Sequence, residues 1–418
     1  MKRITLLFVC LVTLPSIAQQ SITLNECYLL VSENYPLAKQ SQIIESQNKL
    51  EKASISTSKL PQFSLDAQAT YQSDVIEFPF SIPGVEVEPL NKDQYRATIS
   101  VNQLIYNGGL TEASLHLKSA ELKTKQKQVE VNLYQLKQRI NQLYFSILLA
   151  QESEVLLAVK KEQLEAKLKE VQSGIKYGVV LPASDKVLEA ELLKISQQSE
   201  ELKSNKIALI ETLSSLINQP LTIETTFENP LVETQLNSDL SRPELELFQF
   251  KKEEIENSEN LIAKQNSPKL LGFATGGYGN PGLNMLDNSF QTFYTVGVRL
   301  HWNVFDWNSN KKQREALSVN KEIVANETEI FKLNTNIELN QQQKEIIKIE
   351  SYIHSDLEII NLRKEVLKSA DSQLKNGVIT TSAYITELTN LYEDENTLVK
   401  HRIQLQLAKA NYNSIKGQ

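Results

Sequence analysis

The chain says the same thing twice with matched internal distances, and this constrains its fold more than any other feature. Pro36 lies 25 residues before Pro61, as Pro243 does before Pro268, and Tyr106 lies 72 residues before Gly178, as Phe305 does before Gly377. Surface loops absorb insertions at little thermodynamic cost, so spacings held in register over some 70 residues require elements of fixed physical length. The middle interval differs, 45 residues from Pro61 to Tyr106 against 37 from Pro268 to Phe305, and therefore holds a segment free to vary.

That middle interval alternates with a period of two, which predicts half-buried strands. Phe63, Leu65, Ala67, Ala69 and Tyr71 share one face; so do Tyr95, Ala97, Ile99 and Val101, and so do Tyr294, Val296, Val298, Leu300 and Trp302. A fourth stretch, 268–278, is interrupted by Gly272, Gly276 and Gly277 and is placed as a strand by its position in the repeat. Each strand pair encloses a turn-rich loop, one with Pro79, Pro83, Gly84 and Pro89, the other with Asn280-Pro281-Gly282. Strands of about 10 residues have the length of a tilted membrane-crossing β-strand. Tyr106, Trp302, Phe305 and Trp307 gather near one strand end as a candidate aromatic girdle.

The remainder reads as helix. Between Asn107 and Tyr177 there is no proline, and glycine occurs only at Gly108, Gly109 and Gly174. Ile346, Ile353, Ile360, Leu367 and Leu374 recur every seven residues, as do Tyr384, Leu391, Leu398, Leu405 and Tyr412, and Ile195, Leu202, Leu209 and Leu216. Such heptads specify left-handed coiled-coil packing. A helix of about 70 residues is on the order of 105 Å long, and a hairpin of that length with narrow apolar seams needs partner helices on both sides.

Lys2 and Arg3, an apolar run from Ile4 to Leu14 and small residues before Gln19 predict a secretory signal cleaved after Ala18. Cys10 leaves with it and Cys27 stays alone, a small thiol expected inside a helix. The formal charge of −7 becomes −9 once Lys2 and Arg3 are removed, which disfavours nucleic-acid binding. His116, His301, His354 and His401 are scattered without metal-ligand spacing, and no nucleophile elbow occurs. Gly277-x-Gly279-x-x-Gly282 matches a dinucleotide fingerprint only as text, because Pro281 interrupts it and no helix follows. No catalytic, cofactor or metal site is expected.

No later segment is apolar for long enough to span a bilayer as a helix, so any insertion must use strands. Four strands cannot close a barrel, since the smallest membrane barrels need about eight, and an open edge in lipid costs several kcal/mol per unpaired backbone group. Several copies must pool their strands, most simply with cyclic symmetry.

Taken together, several motifs resemble the TolC-like outer-membrane factor family over the whole mature chain. Ile22-Thr23-Leu24-Asn25-Glu26-Cys27 opens a helix reaching Asn34-Tyr35-Pro36, and Leu60-Pro61-Gln62-Phe63 opens a strand. Leu104-Ile105-Tyr106-Asn107-Gly108-Gly109 looks like the family's strand-to-helix junction, echoed by Asn303-Val304-Phe305-Asp306-Trp307-Asn308. Lys176-Tyr177-Gly178-Val179 and Lys375-Asn376-Gly377-Val378 look like its two periplasmic helix-turn-helix tips.

The resemblance implies a homotrimer with a 12-stranded β-barrel in the outer membrane, four strands per protomer, continued by a long α-helical coiled-coil barrel into the periplasm. It implies a passive export channel of a tripartite efflux pump or type I secretion system, docked through a periplasmic adaptor to an inner-membrane pump. The tips Tyr177, Gly178, Val179, Asn376, Gly377 and Val378 would meet the adaptor. The layout expected is a signal at 1–18, one repeat at 19–218, an equatorial linker at 219–241 and a second repeat at 242–418, each repeat a helix, a β-hairpin and a long helical hairpin. The alternative that the heptads alone permit is a secreted or surface-attached coiled-coil structural or adhesive protein.

Two departures stand out. The family often carries two aspartates after the second tip, where this chain has Ala383 and Thr386; Asp185, Glu189 and Glu387 are the remaining candidates for an acidic ring, with ordinary solvated helix faces the favoured reading. Gly108-Gly109 in one copy becomes Trp307-Asn308 in the other, and the helices after the tips differ, which predicts gating and docking that are asymmetric between the repeats.

Overall fold

The computed structural model describes residues 21–76, 89–234 and 239–418. The signal at 1–18 and the loop residues Pro79, Pro83 and Gly84 lie outside the described residues. In order the elements are β1 (Ser21–Ile22), α1 (Leu24–Asn34), α2 (Ala38–Thr57), β2 (Gln62–Tyr71), β3 (Asp93–Tyr106), α3 (Leu110–Lys176), α4 (Ser184–Ile217), β4 (Thr226–Phe227), α5 (Pro243–Gln265), β5 (Lys269–Asn280), β6 (Gln291–His301), α6 (Ser309–Lys375) and α7 (Thr381–Lys416). Residues up to Ala38, Glu130–Pro243 and Lys332–Gln418 form one compact unit; Lys39–Val129 and Glu244–Phe331 form the other. α3 and α6 are each 67 residues long, on the order of 100 Å of helix.

The second unit carries all four expected membrane-length strands in one antiparallel sheet of order β2-β3-β5-β6. Its register sets Phe63 beside Val101, Val101 beside Ala274 and Ala274 beside Val296. The alternating apolar residues of all four strands thus share one face, and the polar set shares the other. One of the glycines that blur the pattern in β5, and one in β6, have a packing reason. A Cβ on Gly277 would lie 2.5 Å from the Phe293 ring, and one on Gly297 would lie 2.9 Å from the Phe273 ring, so each glycine seats a cross-strand aromatic.

The first unit holds the helical cores. Thr23 caps α1 through a reciprocal capping box with Glu26, and the short parallel bridge between β1 and β4 carries Ile22 and Phe227 into the core. Cys27, Val31, Ile140, Tyr144, Phe145, Leu148, Leu213 and Ile217 surround them. The Cys27 thiol is buried as expected, and burial together with the neighbouring Glu26 charge pushes it up to about 12. A second core joins Leu157, Leu164 and Val171 of α3 with Leu188 and Ile195 of α4, Leu374 of α6 and Tyr384 and Leu388 of α7. The heptads therefore form seams: Ile346, Ile360 and Leu374 of α6 are buried, as are Tyr384, Leu391, Leu398 and Tyr412 of α7.

Candidate functional site

No helix among the described residues is long and apolar enough to cross a membrane. The sheet is different. Its apolar face is open, with Phe63 at 73%, Leu65 at 75%, Tyr294 at 80% and Val296 at 72% exposure, and among the described residues neither β2 nor β6 has a strand on its outer edge. A soluble protein of this size does not present four strands of unpaired apolar side chains between two bare edges, so this face is suited to lipid and both edges are left open to pairing.

Aromatics bracket that face at both ends. At the helix-side end stand Tyr106, Trp302, Phe305 and Trp307, all exposed, with Phe305 and Trp307 packed edge to face at 4.8 Å. A β-bulge between Leu104 and Tyr106 brings Tyr106 opposite Leu270, returning its ring to the apolar side. At the loop end Phe290 stacks on Tyr278 at 5.4 Å and on Tyr95 at 6.2 Å, with Tyr71 paired to Asp93 nearby. The pattern of the sequence pointed only to the first belt. The second was encoded in the antiparallel pairing, which gathers the residues that flank both loops. Tyr95 and Tyr106 are some 36 Å apart along the strand at about 3.3 Å per residue, or roughly 28 Å of membrane depth at a tilt of about 40°. That spacing fits one apolar band.

The two strand-to-helix junctions share one backbone conformation. Gly108 and Gly109 have φ of 66° and 82°, and Trp307 and Asn308 have φ of 55° and 60°, so both junctions make the same pair of left-handed residues. The halves differ there only in side chain. Trp307 keeps a bulky ring where a left-handed backbone costs a non-glycine residue about 1–2 kcal/mol.

The two helix tips are also alike. The Val179 amide donates to the Gly174 carbonyl (2.9 Å) and Gly178 to Ile175 (3.1 Å); Val378 donates to Gln373 (2.8 Å) and Gly377 to Leu374 (3.0 Å). Both are Schellman motifs with a left-handed glycine at φ 76° and 69°. Ile175 and Val180 beside the first tip and Ile379 beside the second pack into one core, so the structure brings the two tips to the same end of their unit. Four apolar side chains project outward, Tyr177, Val179, Leu181 and Val378, each at least 66% exposed, beside the exposed Lys176 and Lys375. Leu181 joins the residues expected from sequence, and Asn376 instead turns its amide back to the Ser372 carbonyl at 2.8 Å. A Cβ at Gly178 or Gly377 meets nothing within 4 Å, so replacement by Ala tests the backbone alone. Gly377→Ala is expected to lower stability by about 1 kcal/mol, and Gly377→Asn by less, in thermal unfolding followed by helical circular dichroism.

Each acidic candidate has a basic partner within its own helical hairpin. Asp185 and Glu189 flank Lys186 on α4 at 3.4 and 2.8 Å, whereas Glu387 on α7 lies 3.5 Å from Arg363, which also holds Asp394 at 2.9 Å. The Ala383 amide completes the Thr380 cap, and Thr386 donates to the Ser382 carbonyl.

A network that sequence reading missed lies just above the tips. Lys167 of α3 is buried and bonds Asp371 of α6 and Glu170 at 2.5 Å each; Lys375 reaches Asp371 at 2.8 Å; and the Lys167 ammonium sits 5.1 Å from the Tyr384 ring centre. One heptad earlier, Lys160 bonds Glu191 at 3.1 Å over the Tyr392 ring. Both lysines occupy seam positions between Leu157, Leu164 and Val171, which was the available signal. Burial works against the charge on Lys167, but its bonds to Asp371 and Glu170 prevail and hold the ammonium above the usual lysine range. Burial likewise opposes ionisation of Asp371, and Lys167 and Lys375 prevail to hold its carboxyl below the usual range. The depressed carboxylate stabilises the fold above its unfolded pKa and loses that effect as pH falls through the folded value. The raised ammonium stabilises below its unfolded pKa and loses the effect as pH rises through its folded value. Lys167→Met should cost about 1–3 kcal/mol near neutrality, and its deficit in melting temperature relative to the parent should shrink below about pH 4 and above about pH 10.5.

No family model matches the chain, and no curated protein does. Solved structures do. The CusC structure, described by its conformational changes on folding and transmembrane channel formation, aligns over 94% of this chain and 92% of its own with a TM-score of 0.71 at 9% identity. This chain has an outer-membrane channel fold. The CmeC outer membrane channel of Campylobacter jejuni aligns over 94% of this chain and 85% of its own, with a TM-score of 0.65 at 16% identity. The outer membrane protein VceC of Vibrio cholerae aligns over 94% and 97%, with a TM-score of 0.64 at 13% identity. At such identities the likeness is one of architecture, and it extends over nearly the whole chain.

Proposed function

We propose that this protein is an outer-membrane export channel of the TolC-like kind, a homotrimer whose three four-stranded sheets close a 12-stranded barrel and whose helices continue the conduit into the periplasm. The observation that carries this reading is the sheet, with one lipid-suited face, two bare edges and aromatic belts about one bilayer apart. One copy leaves both edges open, and closure by symmetry removes them. The repeats at 19–218 and 242–418, with 219–241 between them, then each supply a share of the wall.

In this reading the exposed apolar tips at Tyr177, Val179 and Val378 dock a periplasmic adaptor serving a tripartite pump or a type I secretion system, and Gly178 and Gly377 shape them. The rival reading, a secreted coiled-coil fibre, has no use for a lipid-suited sheet. Planar-bilayer recording of the purified protein tests the proposal: discrete conductance steps support it, and an electrically silent protein overturns it.

A further inference from the structure

Resting on the barrel reading above, we propose that the β-barrel part of this channel's lumen is cationic and favours anionic solutes. The register places four of the five Asp, Glu, Lys and Arg residues of the strands on the polar face, the fifth being Asp93, paired with Tyr71 at the loop end. Arg96, Lys269 and Arg299 lie on the polar face with Asp66 as the only carboxylate, so that face carries a formal +2 per chain, although the whole chain carries −7. Closure by three copies multiplies this charge within one enclosed lumen.

The cations are also concentrated. Lys269 pairs directly with His301, and Arg299 lies two residues along β6 on the same face, so three basic groups crowd the end of the sheet from which α6 departs. Threefold repetition turns this cluster into a ring, the arrangement that favours anions in pores. The guanidinium of Arg299 lies 5.3 Å from the Phe273 ring centre and that of Arg96 lies 5.5 Å from the Phe293 ring centre. Aromatic faces hold these cations in place without cancelling their charge. Among the described residues no carboxylate lies within ion-pair distance of Arg96, Lys269 or Arg299. A wall of one sign around a confined aqueous space raises the local concentration of the opposite sign, most strongly when the Debye length is long.

The test uses the full-length protein in lipid vesicles on a Cys27→Ser background, with Thr295→Cys as a reporter on the polar face. Its modification rates by anionic sulfonatoethyl and cationic trimethylammonioethyl methanethiosulfonate are each divided by the rate for a small free thiol. The expected ratio favours the anionic reagent by on the order of fivefold at low salt and falls toward one at high salt. Combined Arg96→Gln, Lys269→Gln and Arg299→Gln substitutions should remove the preference. A ratio near one at low salt, or a preference that neither salt nor neutralisation changes, overturns the proposal. Val296→Cys, one residue along on the apolar face, separates the two failures: if it reacts readily with both reagents while Thr295→Cys is protected, the barrel reading itself has failed.

Discussion

Val296→Arg is expected to abolish assembly in the outer membrane, while Thr295→Arg one residue away leaves it intact. Val296 is 72% exposed at mid-strand, in line with Ala274, Val101 and Phe63 on the apolar face. Arginine on the lipid side near the bilayer midplane costs about 2–4 kcal/mol, so three copies of the change cost roughly 6–12 kcal/mol per assembly. Thr295 lines up with Thr275, Ser100 and Ser64 on the other face, where the same side chain stays in water. Fractionation of outer membranes followed by unheated gel electrophoresis should show the trimer with Thr295→Arg and lose it with Val296→Arg. Equal assembly of the two variants would mean that the apolar face does not meet lipid.

Tyr144→Ala should produce the largest loss in the helical unit, about 3–5 kcal/mol. The side chain is fully buried and meets Phe145 and Phe227 edge to face, with ring centres at 5.8 and 5.4 Å. Its hydroxyl donates between two backbone carbonyls, Ile22 at 2.9 Å and Glu228 at 2.7 Å, which flank the β1–β4 bridge. Burial and the nearby Cys27 and Glu228 groups push the phenol far above its ordinary range, so it remains a proton donor at any working pH. Tyr144→Phe keeps the packing and drops only this bond, and it should cost about 1–2 kcal/mol. Thermal unfolding of the two variants separates packing from hydrogen bonding. Similar losses in both would place the whole effect in the hydroxyl.

The parts legible in the sequence are those with long periodicity. Seven-residue recurrence from Ile346 to Leu374 marks a seam because a 67-residue helix repeats one geometry many times. Two-residue alternation from Phe63 to Tyr71 marks a face for the same reason. What stayed hidden depends on pairing across long distances in the chain. The contact of β3 with β5, which joins the two hairpins into one sheet, leaves no local pattern, and neither does the stacking of Phe290 on Tyr95. The bridge of β1 to β4 is two residues long, too short for any period. Lys160 and Lys167 read as ordinary surface charge until their seam phase is noticed, since burial of a lysine depends on partners such as Asp371 and Glu191, more than thirty residues away or on another helix. Gly108-Gly109 and Trp307-Asn308 differ in letters yet share one backbone, because conformation at a junction is imposed by the elements on either side.

In this reading the two bare sheet edges are closed by other copies of the same chain. The mass of the detergent-extracted particle, measured by native mass spectrometry with lipid and detergent stripped, tests this most directly. Three chains per particle, giving twelve strands and no open edge, is the predicted result. A single chain that stays folded and membrane-embedded would contradict it.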